Sequence, residues 1–318
     1  MEFFDVDTLD TCRDLWRAAV PQESLFDLWE VQECFWRAYG GEPLFLVARE
    51  GVEICGLLAL ARTDLTGGWG CFPGETWMGK TWLERNRIIA TDREVVRGLL
   101  ERCPRDTHLR YLVSNDFIDG MVSHDETGYL FLPEQWGYCA ENFWASFSGK
   151  SRKRIWKEID ALTQRGVEIC RSEVKDVETL IALNLEAFAE RSYFSDERFL
   201  CGFRDLVAWL GAQGYLEVTT VRIEDCVAAV DVSAVYQNAC TVLAGGTHPE
   251  FPGVAKLINA AHIEWACEQT YTEVDFLCGD FGWKERFHLT ARPLYQYESS
   301  PRCMTLDALD EAGSSYAE

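Results

Sequence analysis

Apolar residues recur along this chain in helical and in alternating patterns, and the switches between the two mark most of its elements. From Thr8 to Val20, Leu9, Cys12, Leu15, Trp16 and Ala19 share one helical face. A second helix is expected over Asp27–Tyr39, closed by Gly40-Gly41. Leu44–Arg49 and Ile54–Arg62 alternate as two strands around the Glu50-Gly51 turn. Thr91 and Glu94 have the spacing of a capping box opening a helix over Asp92–Arg102, and Leu109–Ser114 reads as a strand. Together these predict a small α+β unit ending near Pro133.

The second half repeats that order. A helix over Asn142–Gln164 carries Ile155, Ile159 and Leu162 on one side and Lys150, Arg152, Lys153, Arg154 and Lys157 on the other. Helices over Val177–Arg191 and Glu197–Leu210 precede strands at Leu216–Ile223, Cys226–Tyr236 and Ala239–Gly245. Pro252-Gly253 opens an amphipathic helix reaching Trp265, Val274–Cys278 reads as a buried strand, and a last strand falls near Leu294–Tyr297. Domains are therefore expected at 1–140 and 141–298, with a mobile acidic tail at 299–318.

Composition narrows the function. The 13 cysteines are odd in number and far apart, with no Cys-x-x-Cys pair, and no apolar run approaches the ~20 residues that span a bilayer. The expectation is a reduced, cytoplasmic protein with cysteines as small core residues, no metal and no membrane insertion. A net charge of −22 argues against extensive nucleic-acid binding, although the basic helix around Arg152 offers a local site for a substrate anion. Oligomeric state is not legible.

One segment concentrates chemistry: Asp275-Phe-Leu-Cys-Gly279-Asp280-Phe-Gly-Trp283-Lys284, a strand, a Gly-Asp turn and an aromatic-lysine pair. With the strands and the Pro-Gly helix before it, this segment resembles the catalytic half of GNAT-superfamily acyltransferases. The resemblance is to the two-domain branch of CelD-like acetyltransferases and Fem-type aminoacyl transferases. It implies an α+β fold of two tandem GNAT-like domains, each a mixed, mostly antiparallel sheet flanked by helices. The second domain would hold the acyl donor and the first would shape the acceptor pocket. The implied reaction is transfer from acetyl-CoA or another acyl-CoA to a primary amine of a small molecule or peptide.

The implied sites follow. Pro252, Gly253, Val254 and Ala255 would hold the donor pyrophosphate at a helix start. Lys284 would stabilise negative charge, while Asp280, Trp283, Trp77 and Arg152 would line the substrate cleft. Asp231 interrupts an apolar strand and shares a face with Ala229 and Ser233, which makes it a candidate proton acceptor, with Asp275 in reserve. Each has a plainer explanation: an ordinary helix start, a solvated lysine, a solvent-facing strand residue. Three rival functions stay open. An aminoacyl-tRNA-dependent transferase would share the fold. A nucleotide enzyme would use Gly74-Glu-Thr-Trp-Met-Gly79-Lys80-Thr81, which satisfies the P-loop spacing but follows a poor strand. A non-catalytic binding protein would keep only the cleft.

Overall fold

The computed structural model describes residues 1–63, 67–171, 174–279 and 284–299. β1 (Glu2–Val6) leads into α1 (Leu9–Ala19) and α2 (Trp29–Tyr39). Gly40 ends α2 at φ 69°, the left-handed geometry that glycine adopts without strain. β2 (Pro43–Glu50) and β3 (Glu53–Arg62) form the expected hairpin, extended by β4 (Trp69–Cys71) and β5 (Ile89–Ala90), both on β3. Alternation buries both faces of this sheet. Phe45, Val47 and Leu57 meet α1, whereas Leu46, Leu58 and Leu60 meet α3 (Arg93–Leu100). The cap of α3 is Asp92, which accepts from the Glu94 and Val95 amides, so a simple aspartate cap replaces the box expected from Thr91 and Glu94.

β6 (His108–Val113) and β7 (Ser123–Phe131) depart from expectation. The strand read at 109–114 belongs to a second, eight-stranded sheet, and β7 was not read because its first half is polar and only partly buried. The expected helix over Asn142–Gln164 is two helices, α4 (Ala140–Ala145) and α5 (Gly149–Thr163). Ser148 breaks the run by accepting from the Ser151 amide as the cap of α5.

The chain continues through β8 (Val167–Arg171), α6 (Val177–Phe188), α7 (Glu197–Gln213), β9 (Leu216–Ile223), β10 (Cys226–Tyr236) and β11 (Ala239–Thr247). It ends with α8 (Val254–Glu268), β12 (Glu273–Asp275) and β13 (Thr290–Glu298). The order across the second sheet is β6-β13-β7-β12-β11-β10-β9-β8, so the sheet crosses residue 140. Val230 and Val232 of β10 face α6 and α7, while Ala229 faces α5 and α8. The two halves also meet between helices. Phe35 of α2 and Phe199 of α7 pack with ring centroids 5.6 Å apart, and a Cβ at Gly202 would lie 2.9 Å from Phe35. No described helix is long and apolar enough to cross a membrane.

The feature that positions the site is an opening in the second sheet. β11 and β12 run parallel but pair only over Ala239–Thr241 and Glu273–Asp275. Beyond Asp275 the chain follows β7 instead: the Phe276 amide donates to the Tyr129 carbonyl and the Tyr129 amide to the Leu277 carbonyl. From Val242 onward, no described strand pairs with that edge of β11.

Candidate active site

The Phe276–Cys278 segment that walls this opening is held by two side chains of opposite charge. Lys284 is buried and donates to the Phe276, Leu277 and Cys278 carbonyls at 2.8, 2.9 and 2.8 Å. An ammonium has three N–H donors, so this geometry matches its full capacity. Burial lowers the Lys284 pKa, and the Glu84 charge works against that fall. Glu84, from the first half of the chain, accepts the Cys278 amide at 2.7 Å through Oε1. Its Oε2 has no hydrogen-bond partner and lies 3.6 Å from an Arg292 nitrogen. Burial, then the Asp275 charge, push the Glu84 carboxyl up to about 7. The Cys278 thiol interacts with both Glu84 and Tyr111, and burial keeps it protonated.

The candidate acids lie in different settings. Asp275 is fully buried, and Arg292 donates to both of its oxygens at 2.6 and 3.3 Å, while the Leu277 amide donates at 2.9 Å. Arg85 stands 3.6 Å away. Taking a proton there means giving up an ion pair. Asp231 is buried beneath α8 with its Oδ2 2.9 Å from His262 Nε2. Its neighbour across the sheet is Gly245, where a Cβ would overlap the Asp231 carboxylate and force it to shift. The sequence placed Asp231 correctly beside Ala229 and Ser233 but gave no sign of His262, a lone histidine on an apolar helix face.

At the start of α8, Gly253 adopts φ 95° as the helix cap, with Pro252 and Ala255 exposed and Val254 buried. A Cβ at Gly253 would meet Glu158 Oε2 at 3.3 Å, and Glu158 also pairs with Lys256. The anion that this helix end attracts is therefore already supplied by α5. Glu158 thus stands where the sequence placed a donor phosphate, beside Gly253. Arg152 is exposed on α5, and among the described residues no ion pair engages Lys150, Arg152, Lys153, Arg154 or Lys157. Asp280 and Trp283 lie outside the described residues.

The P-loop look-alike is a tight hairpin. Trp77 and Lys80 exchange backbone hydrogen bonds at 2.7 and 2.9 Å around Met78 and Gly79, both at positive φ, and no helix begins before α3. A phosphate cradle needs a strand running straight into a helix start, which this segment lacks. What it holds instead is Glu75, which escaped sequence reasoning although it lies inside the motif. Glu75 Oε2 accepts from the Thr81 hydroxyl and from the Trp82 and Leu83 amides at 2.7, 2.8 and 3.3 Å. Tyr193, on the connection between α6 and α7, donates to the Thr81 carbonyl at 3.2 Å and packs on Trp77 with centroids 4.8 Å apart. Burial, then the nearby Glu75 charge, push the Tyr193 phenol up.

Residues 149–285 match the family model described as an acetyltransferase (GNAT) domain. No curated protein matches the chain in sequence. Among solved structures, FemX is 12% identical with a TM-score of 0.59, covering 94% of this chain and 98% of its own. A tandem GNAT protein from the clavulanic acid biosynthesis pathway is 12% identical with a TM-score of 0.53, covering 95% and 99%. The L-PGS of Bacillus licheniformis is 12% identical with a TM-score of 0.51, covering 89% and 94%. At such identities the likeness is one of fold: a tandem GNAT-like α+β architecture. The opened β11–β12 edge lies within residues 149–285, the part of the chain that matches the acetyltransferase (GNAT) domain model.

Proposed function

We propose that the protein transfers an acyl group from a coenzyme A thioester to a primary amine. The observation that carries this reading is the parted edge of β11, walled by a segment that Lys284 and Glu84 hold from both ends of its peptide groups. An extended acyl carrier laid along that edge would take the place of the missing strand partner. The donor would lie along β11, within 141–298, and the acceptor would approach from Glu84, within 1–140, although β6 and β7 of that first half complete the same sheet.

In the reaction the amine nitrogen bonds to the thioester carbonyl carbon, the carbon–sulfur bond breaks, and the thiolate leaves. Glu84 takes the amine proton: a buried carboxyl near 7 is matched to that work at neutral pH. Lys284 fixes the carbonyls of 276–278, so the wall of the site keeps its shape as charge develops. The Asp231–His262 pair is the second candidate for proton acceptor. Asp275 serves the framework.

Calorimetry with acetyl-CoA, followed by thiol release in the presence of a panel of primary amines, tests the reading. Binding and amine-dependent release support it. If no acyl-CoA binds and no amine draws out thiol, it fails. A second donor is favoured by one observation: α5 carries five cations that form no ion pair among the described residues. An aminoacyl-tRNA would use such a surface, and its binding should fall steeply with salt.

A further inference from the structure

Glu75 is 2% exposed, and its two oxygens are treated very differently. Three donors converge on Oε2, while Oε1 has no hydrogen-bond partner at all. The adjacent Thr76 hydroxyl is also buried and unpartnered. A buried carboxylate oxygen without a donor is costly, and proteins retain one where a missing partner is to be bound. The surroundings say what kind of partner. Aromatic rings lie close by: Tyr193 packs on Trp77 and donates to the carbonyl of Thr81, whose hydroxyl binds Glu75. Asp196 adds a second carboxylate, but Arg198 already neutralises it at 2.9 Å. No cation in the described structure pairs with Glu75.

We propose that Glu75, in the hairpin on which Trp77 and Tyr193 pack, is a binding site for the ammonium group of the acceptor, which makes the acceptor a cationic alkylamine rather than a neutral one. Carboxylate and ring faces attract such a group together. The proposal rests on the amine-acyltransferase reading for its role, but not for its chemistry. The site is closed here, and the exposed Met78–Lys80 turn gives it a door: Trp77 must swing off Tyr193 for a ligand to enter.

The test is a titration of the whole chain with 1,4-diaminobutane, n-butylamine and n-butanol, following tryptophan fluorescence. The amines should bind and n-butanol should not. Glu75→Gln, which preserves the three bonds to Oε2, should weaken amine binding tenfold or more while acetyl-CoA affinity is unchanged. Trp77→Leu should weaken it severalfold. Unchanged amine affinity in Glu75→Gln overturns the proposal, as does a parent that binds n-butanol as well as n-butylamine, or binds neither. Should Glu75→Gln not fold, as judged by circular dichroism, Trp77→Leu and the parent's preference for amine over alcohol decide the matter. Amine binding without acetyl-CoA binding would remove the acyltransferase reading and leave this site standing. The reverse result would remove only this site.

Discussion

Asp275 and Glu75 are equally hidden, 0% and 2% exposed, yet they occupy opposite kinds of surroundings. Asp275 has Arg292 on both oxygens, a backbone amide, and Arg85 nearby. Glu75 has one oxygen saturated and the other bare. Burial alone thus does not mark a functional carboxylate. Electrostatic completeness does: the paired group holds two strands together, and the half-paired group retains an unmet demand that a ligand can meet. Glu84 lies between them, with one oxygen on an amide and the other near, but not bonded to, a guanidinium.

The largest effect expected from this contrast is at Asp275. Arg292→Met removes the partner and leaves a carboxylate buried beside Glu84 and Glu273. Stripping one member from a buried pair typically costs about 3–5 kcal/mol. Urea denaturation should show a loss of that order, with Asp275→Asn close behind. A loss under about 1 kcal/mol would mean that the pair is not the framework element described here.

How much of this was legible in the sequence depends on range. Local signals worked: the β2–β3 hairpin, α2 with its Gly40 stop, and the β9–β11 meander all follow from period and turn chemistry. The face shared by Asp231, Ala229 and Ser233 also follows from alternation. Long-range partners did not show. Glu84 meets Cys278 across 194 residues of chain, and no pattern near Leu83-Glu84-Arg85 announces it. His262 carries no signal of its own, because a lone histidine on an apolar helix face belongs to no motif. Strand β7 pairs with β12 and β13, so its polar first half is stabilised by neighbours that a window on the sequence cannot include. The Gly253 signal was real as a helix cap, but Glu158, which fills the space beside it, is 95 positions earlier in the chain.

Next in size is the chemistry at Glu84. If Glu84 takes the amine proton, the parent's rate should rise with pH through the Glu84 ionisation, which burial pushes up to about 7. Glu84→Gln should lower turnover by about a hundredfold or more and abolish that rise. Asp231→Asn then provides the control. Should Asp231→Asn lose activity while Glu84→Gln keeps the parent's pH profile, the proton acceptor is the Asp231–His262 pair, and the bare oxygen of Glu84 is a structural cost only.

Glu75 yields a smaller, pH-dependent change in stability. Burial pushes its carboxyl up to about 7 in the fold, above the usual value near 4.5. The folded state therefore binds more protons than the unfolded one between those values. The sign follows: the contribution of the neutral form is fully present below about 4.5 and is lost as pH rises through about 7. The full span corresponds to at most about 3 kcal/mol. Urea midpoints should fall for the parent from pH 5 to pH 8, and fall less for Glu75→Gln, which should be the more stable protein at pH 8. Parallel curves for the two would show that Glu75 is ionised and satisfied in the fold, and would erase its contrast with Asp275.

The smallest expected effect separates the tip of the hairpin from its base. Lys80 is exposed at the turn and fills the lysine position of the P-loop spacing, whereas Glu75 lies buried five residues before it. If the motif is a hairpin and not a phosphate cradle, Lys80→Ala is an ordinary surface substitution and should stay within about 0.5 kcal/mol of the parent. Amine affinity should also be unchanged, because the ammonium site lies with Glu75. ATP with magnesium should leave thermal stability unmoved in parent and variant alike. A magnesium-dependent gain in the parent that Lys80→Ala abolishes would reverse the argument. The segment would then rearrange around a nucleotide, and the bare oxygen of Glu75 would have to be understood as a group awaiting a metal-bound phosphate rather than an amine.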